Sequence, residues 1–230
     1  MVKFDTYANE YTRLLDASVA ASGEDAAYFA DYKARYLAER VAIRPNSKIL
    51  DFGCGVGNVV AALARRLPGA LIHGFDPSEK SLEQIDRKLK EQGRFTTDPD
   101  ALDRDYDVVQ IANVLHHVRP ERRIEFLAQA VERLAPSGRL AVFEHNPANP
   151  FTRHVVDNCP LDKDAALLPA AETMALLTAV GLISVRRVYI VFFPRALRMA
   201  RLLESRLGWC PLGAQYVVVG EKKRRNSSAV

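Results

Sequence analysis

Three glycines at alternate positions follow a short apolar run in residues 49–58, which read ILDFGCGVGN. Asp51 leaves a carboxylate just before the glycines, which are Gly53, Gly55 and Gly57. Glycine lets the backbone turn tightly and approach a ligand without an intervening side chain. The residues that follow have the alanine, leucine and arginine content of a helix. Strand, glycine turn and helix together predict a site for a nucleotide-type cofactor at the edge of an α/β sheet.

The spacing of these glycines separates the kinds of nucleotide site. The dinucleotide fingerprint requires a glycine three residues after its second one, and Asn58 stands at that position. A phosphate-binding P-loop requires Gly-Lys followed by Ser or Thr, which is absent. A nicotinamide-dependent oxidoreductase is therefore disfavoured but stays an alternative. A turn that only packs a helix against a strand is the structural alternative.

A second acid follows the next predicted strand. Residues 70–75 are mostly apolar and lead into Asp76 and Pro77. A carboxylate at this place can accept two hydrogen bonds from the diol of a ribose. Asp76 could equally cap the helix that begins after Ser78.

A third acid is the candidate for the amino group of an adenine ring. Asp98 follows the short predicted strand 94–97. Asp100 and Asp103 lie close by in sequence and compete for the same role.

Polar side chains also follow the fourth and fifth predicted strands, at 106–112 and 138–144. Histidine can take a proton from an oxygen or nitrogen nucleophile near neutral pH. One member of the histidine pair after the fourth strand is expected to be packed and structural. The polar residues after the fifth strand are equally compatible with capping the next loop. The candidates for acid–base chemistry are His116, His117, Glu144 and His145.

Helices and strands alternate over residues 48–144, which is typical of a parallel α/β sheet. Residues 5–43 carry aromatic and leucine residues at helical spacing. The segment 145–168 is predicted to be an irregular wall of a substrate site. The segment 194–208 is amphipathic, and its arginines are expected to form a solvated face, although a membrane surface or a partner would also fit. The other predicted helices and strands are helix 57–67, helix 78–92, helix 120–135, helix 169–180, strand 182–193 and a last strand at 213–220.

The acid and alternating glycines, with the later segments 105–118, 134–144 and 213–220, resemble class I S-adenosylmethionine-dependent methyltransferases. That resemblance covers roughly residues 46–222. It implies a Rossmann-like, open, mostly parallel seven-stranded sheet with helices on both faces and an antiparallel last strand. It also implies an N-terminal helical cap over residues 1–45, and substrate-side insertions at 145–168 and 194–212.

The resemblance implies S-adenosylmethionine as cofactor and methyl transfer as the reaction. The family's fourth motif places its backbone near the sulfonium, and its leading helices often fold over the cofactor with a tyrosine near their start. No metal ligands are implied. The cofactor-binding residues carried over are Asp51, Gly53, Cys54, Gly55, Gly57, Asn58, Asp76, Pro77, Asp98, Asn113, Val114, Tyr7 and Tyr11.

Composition agrees with a single cytoplasmic domain of 230 residues, 48% of them hydrophobic. No apolar run approaches the roughly 20 residues that span a bilayer, and residues 1–5 show no signal-peptide core. Three cysteines without a Cys-x-x-Cys pair indicate free thiols in a reducing compartment. The net charge of +4 equals the charge of the four consecutive cations at 222–225. Residues 223–230 are expected to be a disordered basic tail, which argues against nucleic acid as partner.

The acceptor is expected to be a small molecule. The Asn/Asp-Pro-Pro-aromatic motif of many nucleic-acid methyltransferases is absent. The run 144–160 resembles uncharacterised bacterial methyltransferases, some from polysaccharide gene clusters, which favours a sugar or a natural-product precursor. A nucleic-acid or protein methyltransferase and a non-catalytic subunit of a heteromer stay open. A homodimer is a further expectation.

Overall fold

A computed structural model describes residues 4–41 and 43–224 of the chain. Seven strands form one sheet in the order β3-β2-β1-β4-β5-β7-β6. Neighbours among β1 to β5 pair in parallel, and β7 pairs antiparallel with both β5 and β6. The predicted fold class is confirmed. The strands are β1 Lys48–Phe52, β2 Leu71–Phe75, β3 Phe95–Thr96, β4 Tyr106–Ala112, β5 Leu134–His145, β6 Ile183–Ile190 and β7 Gln215–Glu221.

The central strands are buried on both faces because helices cover both sides of the sheet. Successive side chains of a strand point to opposite faces. Ile49 therefore belongs to one core cluster, with Val108, while Leu50 belongs to the other, with Val109. Burial on both faces explains why neighbouring residues of β1 and β4 are apolar, as in Ile49-Leu50 and Val108-Val109.

The helices pack around this sheet, and none in the described part of the chain is long and apolar enough to cross a membrane. Side-chain caps start several of them: Asp25 caps α3, Ser78 caps α5 and Asn149 caps α8. The α-helices are α1 Phe4–Tyr7, α2 Tyr11–Val19, α3 Ala26–Arg40, α4 Asn58–Arg66, α5 Glu79–Glu83, α6 Arg87–Gln92, α7 Arg123–Glu132, α8 Pro150–Asp157, α9 Ala170–Ala179 and α10 Glu204–Leu207.

Two predicted segments differ in the structure. The expected helix 78–92 is broken into α5 and α6, because the Asp86 side chain accepts the N–H of Lys88 and starts a new helix. The segment 145–168, expected to be irregular, contains α8 and a short 3₁₀ turn at Pro160–Asp162. Asn149 followed by Pro150 is a cap with proline at the first helical position, so the sequence did carry a signal for α8.

The amphipathic segment consists of 3₁₀ turns over Arg195–Leu203 with a kink at Leu197, followed by α10. A 3₁₀ helix has 3.0 residues per turn, so residues three apart share a face. Met199 and Leu202 share such a face and are 77% and 82% exposed. Arg195 and Arg198 are exposed as predicted, whereas Arg201 is half-buried beside Glu24.

The end of the last strand is fixed more firmly than the sequence suggested. The Lys222 ammonium donates to the carbonyls of Val131 and Leu134, and the Lys222 backbone pairs with Gly138 and Ser137. Lys222 thus belongs to the fold and not to a free basic segment. Residues 225–230 lie outside the described residues.

The N-terminal helices close over the carboxyl edge of the sheet. The Ser78 hydroxyl donates to Asp5, and the Gln84 amide donates to Asn9. Both contacts tie the first helices to α5. Arg66 of α4 donates to the Asp31 carboxylate of α3.

Candidate active site

The strand order reverses between β1 and β4, which is where open α/β sheets form a ligand crevice. Here the polar carboxyl ends of β1, β2, β4 and β5 meet under the N-terminal helices. The residues singled out in the sequence therefore come together at one edge.

All three glycines of the turn have positive φ values, of 98° at Gly53, 51° at Gly55 and 82° at Gly57. L-residues rarely adopt this region, which explains the glycines. A Cβ at Gly53 would lie 2.5 Å from the Val114 side chain, whereas a Cβ at Gly55 would meet nothing within 4 Å. Gly53 thus packs β1 against the end of β4, and Gly55 faces open space of the kind a ligand needs.

Asp76 lies at the crevice, where it binds the backbone of the glycine turn. Its carboxylate accepts the N–H of Gly55 at 2.8 Å and the N–H of Ser78 at 2.9 Å. Burial raises the pKa of Asp76, and these two N–H groups oppose the rise. The cap role and the ligand role are compatible, because each carboxylate oxygen retains a further lone pair. Pro77 beside it is exposed.

Two buried polar atoms in the crevice lack a hydrogen-bond partner in the described part of the chain. They are Oδ1 of Asp51 and Nδ2 of Asn113. Burial raises the pKa of Asp51 to about 7. Buried polar groups are normally paired, so an unpaired acceptor and an unpaired donor fit a bound polar ligand. Asn113 has φ of 58°, which turns the chain out of β4.

Lys33 of α3 is a charged residue of the site that the sequence analysis did not single out. It is 5% exposed, and burial lowers its pKa to about 8, while the charges of Glu144 and Asp51 oppose this. Helical spacing could have predicted its burial, because Lys33 shares a helical face with the buried Ala30 and Leu37.

Other predicted cofactor residues are placed less centrally. Cys54 is buried and points toward β2, with its sulfur 2.7 Å from a Cβ built at Gly74, and burial raises its pKa well above the usual range. Asn58 begins α4. Asp98 is exposed and accepts the N–H of Asp100.

The rivals of Asp98 are engaged in ion pairs. Asp100 lies 3.0 Å from Arg133, and Asp103 lies 3.1 Å from Lys48. Asp98, by contrast, contacts a backbone N–H group and is exposed.

Of the two predicted tyrosines, Tyr11 of α2 lies over the crevice. Burial raises the pKa of Tyr11, and the charges of Asp162, Asp76 and Asp51 raise it further. Its hydroxyl thus lies among acids of both sides of the crevice. Tyr7 is half-buried at the end of α1.

The first histidine after β4 is locked to the end of β5. His116 lies in a 3₁₀ turn, Leu115–His117, and its Nδ1 contacts the Glu144 carboxylate at 2.5 Å. Glu144 also accepts the N–H of Leu115 at 2.7 Å. Both side chains are buried. Burial alone would lower the pKa of His116. The contacts with Glu144 and Asp162 outweigh burial and raise the pKa of His116 to about 10.

Asp162 joins the two histidines, and the sequence analysis did not identify it. Its Oδ1 lies 3.4 Å from Nε2 of His116 and 3.4 Å from Nε2 of His117. Burial alone would raise the pKa of Asp162, but both histidines hold it far below its usual range. The structure thus confirms that one histidine of the pair is packed: His116 is 1% exposed and His117 15%.

His145 lines a small apolar pocket of about 40 Å³, called the channel below. Its ring centroid is 5.2 Å from that of His116, and burial lowers its pKa to about 4, with the charge of His116 acting in the same direction. The channel opens between α2, α3 and α8. It is lined by Val19, Ser22, Phe29, His145, Phe151, Thr152, Val155, Ala214 and Gln215.

A larger cavity of about 270 Å³ lies between α4, β2 and α6, against Val60, Ile72, Leu89 and Phe95. It opens near the start of β2 and not near the carboxyl edge. None of the candidate residues lines it.

Comparisons with known proteins agree with this geometry. Residues 50–140 match a family described as "Methyltransferase domain". The chain is 29% identical over 173 residues to a trans-aconitate 2-methyltransferase of Mycolicibacterium gilvum, covering 66% of each protein. It is 32% identical over 105 residues to a demethylmenaquinone methyltransferase of Thermotoga maritima, covering 44% of this chain and 45% of that protein. The chain thus spans only part of the curated relatives it matches.

Solved structures share the fold. Magnesium protoporphyrin IX methyltransferase of Synechocystis with bound S-adenosylmethionine superimposes with a TM-score of 0.63 at 19% identity, covering 97% of this chain and 99% of that one. An S-adenosylmethionine-dependent methyltransferase of Archaeoglobus fulgidus gives 0.64 at 16% identity, covering 84% and 94%.

Residues 50–140 are thus a methyltransferase domain. The glycine turn, the strand order and these likenesses make the chain similar to the class I S-adenosylmethionine-dependent methyltransferases in sequence and in fold.

Proposed function

We propose that this protein transfers the methyl group of S-adenosylmethionine to a small organic acceptor whose apolar part lies against the channel that His145 lines. The position of His145 carries the proposal. It lines the channel, and it also belongs to the polar cluster at the ends of β4 and β5. An acceptor in the channel would therefore present its polar end to this cluster, beside the glycine turn.

The residues of the crevice fit the cofactor. S-adenosylmethionine supplies an activated methyl group on a sulfonium, and it carries an adenosine and an ammonium group. Gly55 offers open space for its close approach, and Asp76 offers carboxylate oxygens for the ribose. The unpaired carboxylate oxygen of Asp51 suits a cationic group, and Asp98 is proposed for the adenine amino group.

The channel walls favour an acceptor without several negative charges. None of its nine lining residues, all described by the structure, is a lysine or an arginine. A tricarboxylate such as trans-aconitate would need cations there. We therefore do not propose trans-aconitate as the acceptor of this protein. A hydroxylated natural-product precursor with an apolar part fits these walls best, and a sugar is the next candidate.

The four acid–base candidates take different proposed roles. His145 has a pKa of about 4, so it is neutral at pH 7 but only a weak base. It would receive the acceptor's proton as the C–O bond to the methyl group forms, when the attacking oxygen becomes strongly acidic. His117, 3.4 Å from Asp162, is proposed to position the acceptor's polar end. His116 and Glu144 bind each other and are proposed to position the cluster.

Calorimetry with S-adenosylmethionine, S-adenosylhomocysteine and NAD tests the cofactor side. We expect the first two to bind and NAD not to bind. Asp76→Ala is expected to weaken binding by about 1–3 kcal/mol, because a charged acceptor of hydrogen bonds is lost. Binding of NAD alone would contradict the proposal.

A methyl-release screen of neutral phenols, sugars and acids, with trans-aconitate included, tests the acceptor side. We expect turnover with a neutral hydroxylated compound. His145→Ala should then lower turnover by about 10²–10⁴ with cofactor affinity unchanged. His154→Ala is the matched control, because His154 is exposed in α8 and contacts Asn158 of the same segment. Efficient methylation of trans-aconitate would contradict the acceptor class.

A role as a subunit of a larger assembly is the second candidate. The observation in its favour is an apolar face on the segment 195–212, with Trp209 76% exposed and Leu212 64% exposed. Light scattering of the wild type and of Leu202→Glu would show whether this face joins copies of the chain.

We propose that residues 46–222 form the catalytic core and that the preceding helices form its cap.

A further inference from the structure

Three atoms of the kind that bind metals converge beside the channel. They are Nε2 of His116, Nε2 of His117 and Oδ1 of Asp162, and they lie within 4.8 Å of one another. Each nitrogen is 3.4 Å from the oxygen. A direct N–H···O bond is about 2.7–3.2 Å long. Ligands of a tetrahedral ion with bonds of about 2.0–2.1 Å are about 3.3–3.4 Å apart. Both N···O separations therefore match two ligands of one shared cation.

An unpaired nitrogen provides an independent observation. Nε2 of His116 is buried and has no hydrogen-bond partner in the part of the chain that the structure describes. The other ring nitrogen, Nδ1, is held by Glu144. Histidines that bind metals are usually held from behind by a carboxylate in this way, which fixes the ring and directs the free nitrogen. A missing ligand at Nε2 would explain both features.

The loop that carries Asp162 is fixed to the histidine turn. The N–H of Ala166 donates to the His116 carbonyl at 2.8 Å. Arg123 of α7 donates to the Ala166 carbonyl at 2.6 Å. The N–H of Asp162 donates to the Cys159 carbonyl at 3.1 Å. The three ligand atoms therefore hold their arrangement without an ion, as a preorganised site requires.

We propose that His116, His117 and Asp162 bind one divalent cation of the zinc class, with Glu144 orienting His116. Two imidazoles and one carboxylate suit Zn²⁺ or Co²⁺ better than Mg²⁺ or Ca²⁺, which prefer oxygen ligands. Three protein ligands leave a fourth position open, as in catalytic zinc sites. The expectation from the sequence that no metal is bound is thereby revised.

The inference rests on the proposed function, because the open position would take the hydroxyl oxygen of the acceptor. A divalent cation lowers the pKa of a hydroxyl group that it contacts. The hydroxyl proton would pass to His145, whose ring is adjacent to that of His116. The C–O bond to the methyl group then forms as the C–S bond of the sulfonium breaks. The products are the methyl ether, S-adenosylhomocysteine and one proton.

Metal titration of the full chain tests the site without any assay of activity. The protein is treated with a chelator and dialysed, then titrated with Zn²⁺ by calorimetry and with Co²⁺ by visible absorption. We expect one equivalent of each to bind, and a tetrahedral Co²⁺ spectrum. His117→Ala and Asp162→Asn should each weaken binding at least about tenfold. His154→Ala should bind as the wild type does.

Thermal melts of each variant come first, and His117 is the safer substitution because its side chain is partly exposed. Less than one equivalent of either ion in the wild type would overturn the proposal, as would unchanged binding in both variants. His116 would then be a cation shared by Glu144 and Asp162. Binding of S-adenosylmethionine to the metal-free protein is measured separately. Its failure would count against the proposed function, whereas its success without cation binding would overturn only the metal site.

Discussion

The glycine turn after β1 and the histidine turn after β4 lie at the same edge of the sheet, yet their polar groups differ in how they are paired. The glycine turn exposes backbone and leaves Asp51 without a partner for one oxygen. In the histidine turn, by contrast, His116, Glu144 and Asp162 form a buried charge network. The first region leaves an anionic oxygen open to a cationic ligand, while the second pairs Glu144 with His116 around one open nitrogen, Nε2 of His116. Loss of Asp51 should therefore affect ligand binding first, whereas loss of Glu144 should affect folding first.

The largest effect is expected from Glu144→Ala. The substitution leaves His116 buried without its partner and removes the acceptor of the Leu115 N–H. Breaking a buried pair in this way costs about 3–5 kcal/mol. Urea unfolding measures the loss. Glu125→Ala is the control, because its pair with Arg122 is exposed and is worth about 0–1 kcal/mol. Equal losses in the two variants would mean that the network does not hold the second region together.

The two regions also differ in how far the sequence predicted them. Asp51, the glycines and Asp76 follow adjacent strands within one short stretch, so local spacing sufficed to bring them together. Asp162 lies in a later loop, which tertiary contacts such as the bond from the Ala166 N–H to the His116 carbonyl bring to the histidines. A pattern of neighbours along the chain cannot show such a contact.

The next effect concerns pH. Asp51 has a pKa of about 7 in the folded chain because it is buried, while Lys33 and Gln110 oppose the shift. An unfolded aspartate titrates near 3.9. The folded chain therefore binds one more proton than the unfolded chain between about pH 4 and pH 7. The free energy of unfolding without ligand should fall across this window because of Asp51, by a few kcal/mol at most.

Asp51→Asn removes this titration. We expect the variant to gain stability relative to the wild type as pH rises from about 4 to 7, and the difference to stay constant above that. Chemical unfolding at a series of pH values gives the difference. Saturating S-adenosylmethionine should shrink it, because a cationic ligand favours the ionised Asp51. A difference that does not change with pH would show that Asp51 is charged in the empty protein.

A smaller effect separates binding from folding at the glycine turn. Gly55→Ala should weaken S-adenosylmethionine binding at least about tenfold, or about 1.4 kcal/mol, because the new Cβ enters the open space of the crevice. Gly181→Ala is the matched control. Gly181 also has a positive φ, of 87°, with nothing within 4 Å of a built Cβ, but it lies before β6. Both variants should lose about 1–2 kcal/mol of stability from backbone strain. Affinity lost equally in both would mean that strain, and not contact, weakens binding.

The smallest effect tests how far the cofactor region extends beyond the glycine turn. Asp98→Ala should weaken S-adenosylmethionine binding by about 0.5–1.5 kcal/mol, the value of one hydrogen bond to an adenine amino group. Asp100→Ala should leave affinity unchanged, because that carboxylate is already paired with Arg133. Replacing S-adenosylmethionine by its analogue that lacks the adenine amino group sharpens the test. The analogue should bind the wild type and Asp98→Ala equally well, since the partner of Asp98 is gone. If the analogue still binds the wild type more tightly than the variant, Asp98 acts on the loop and not on the adenine.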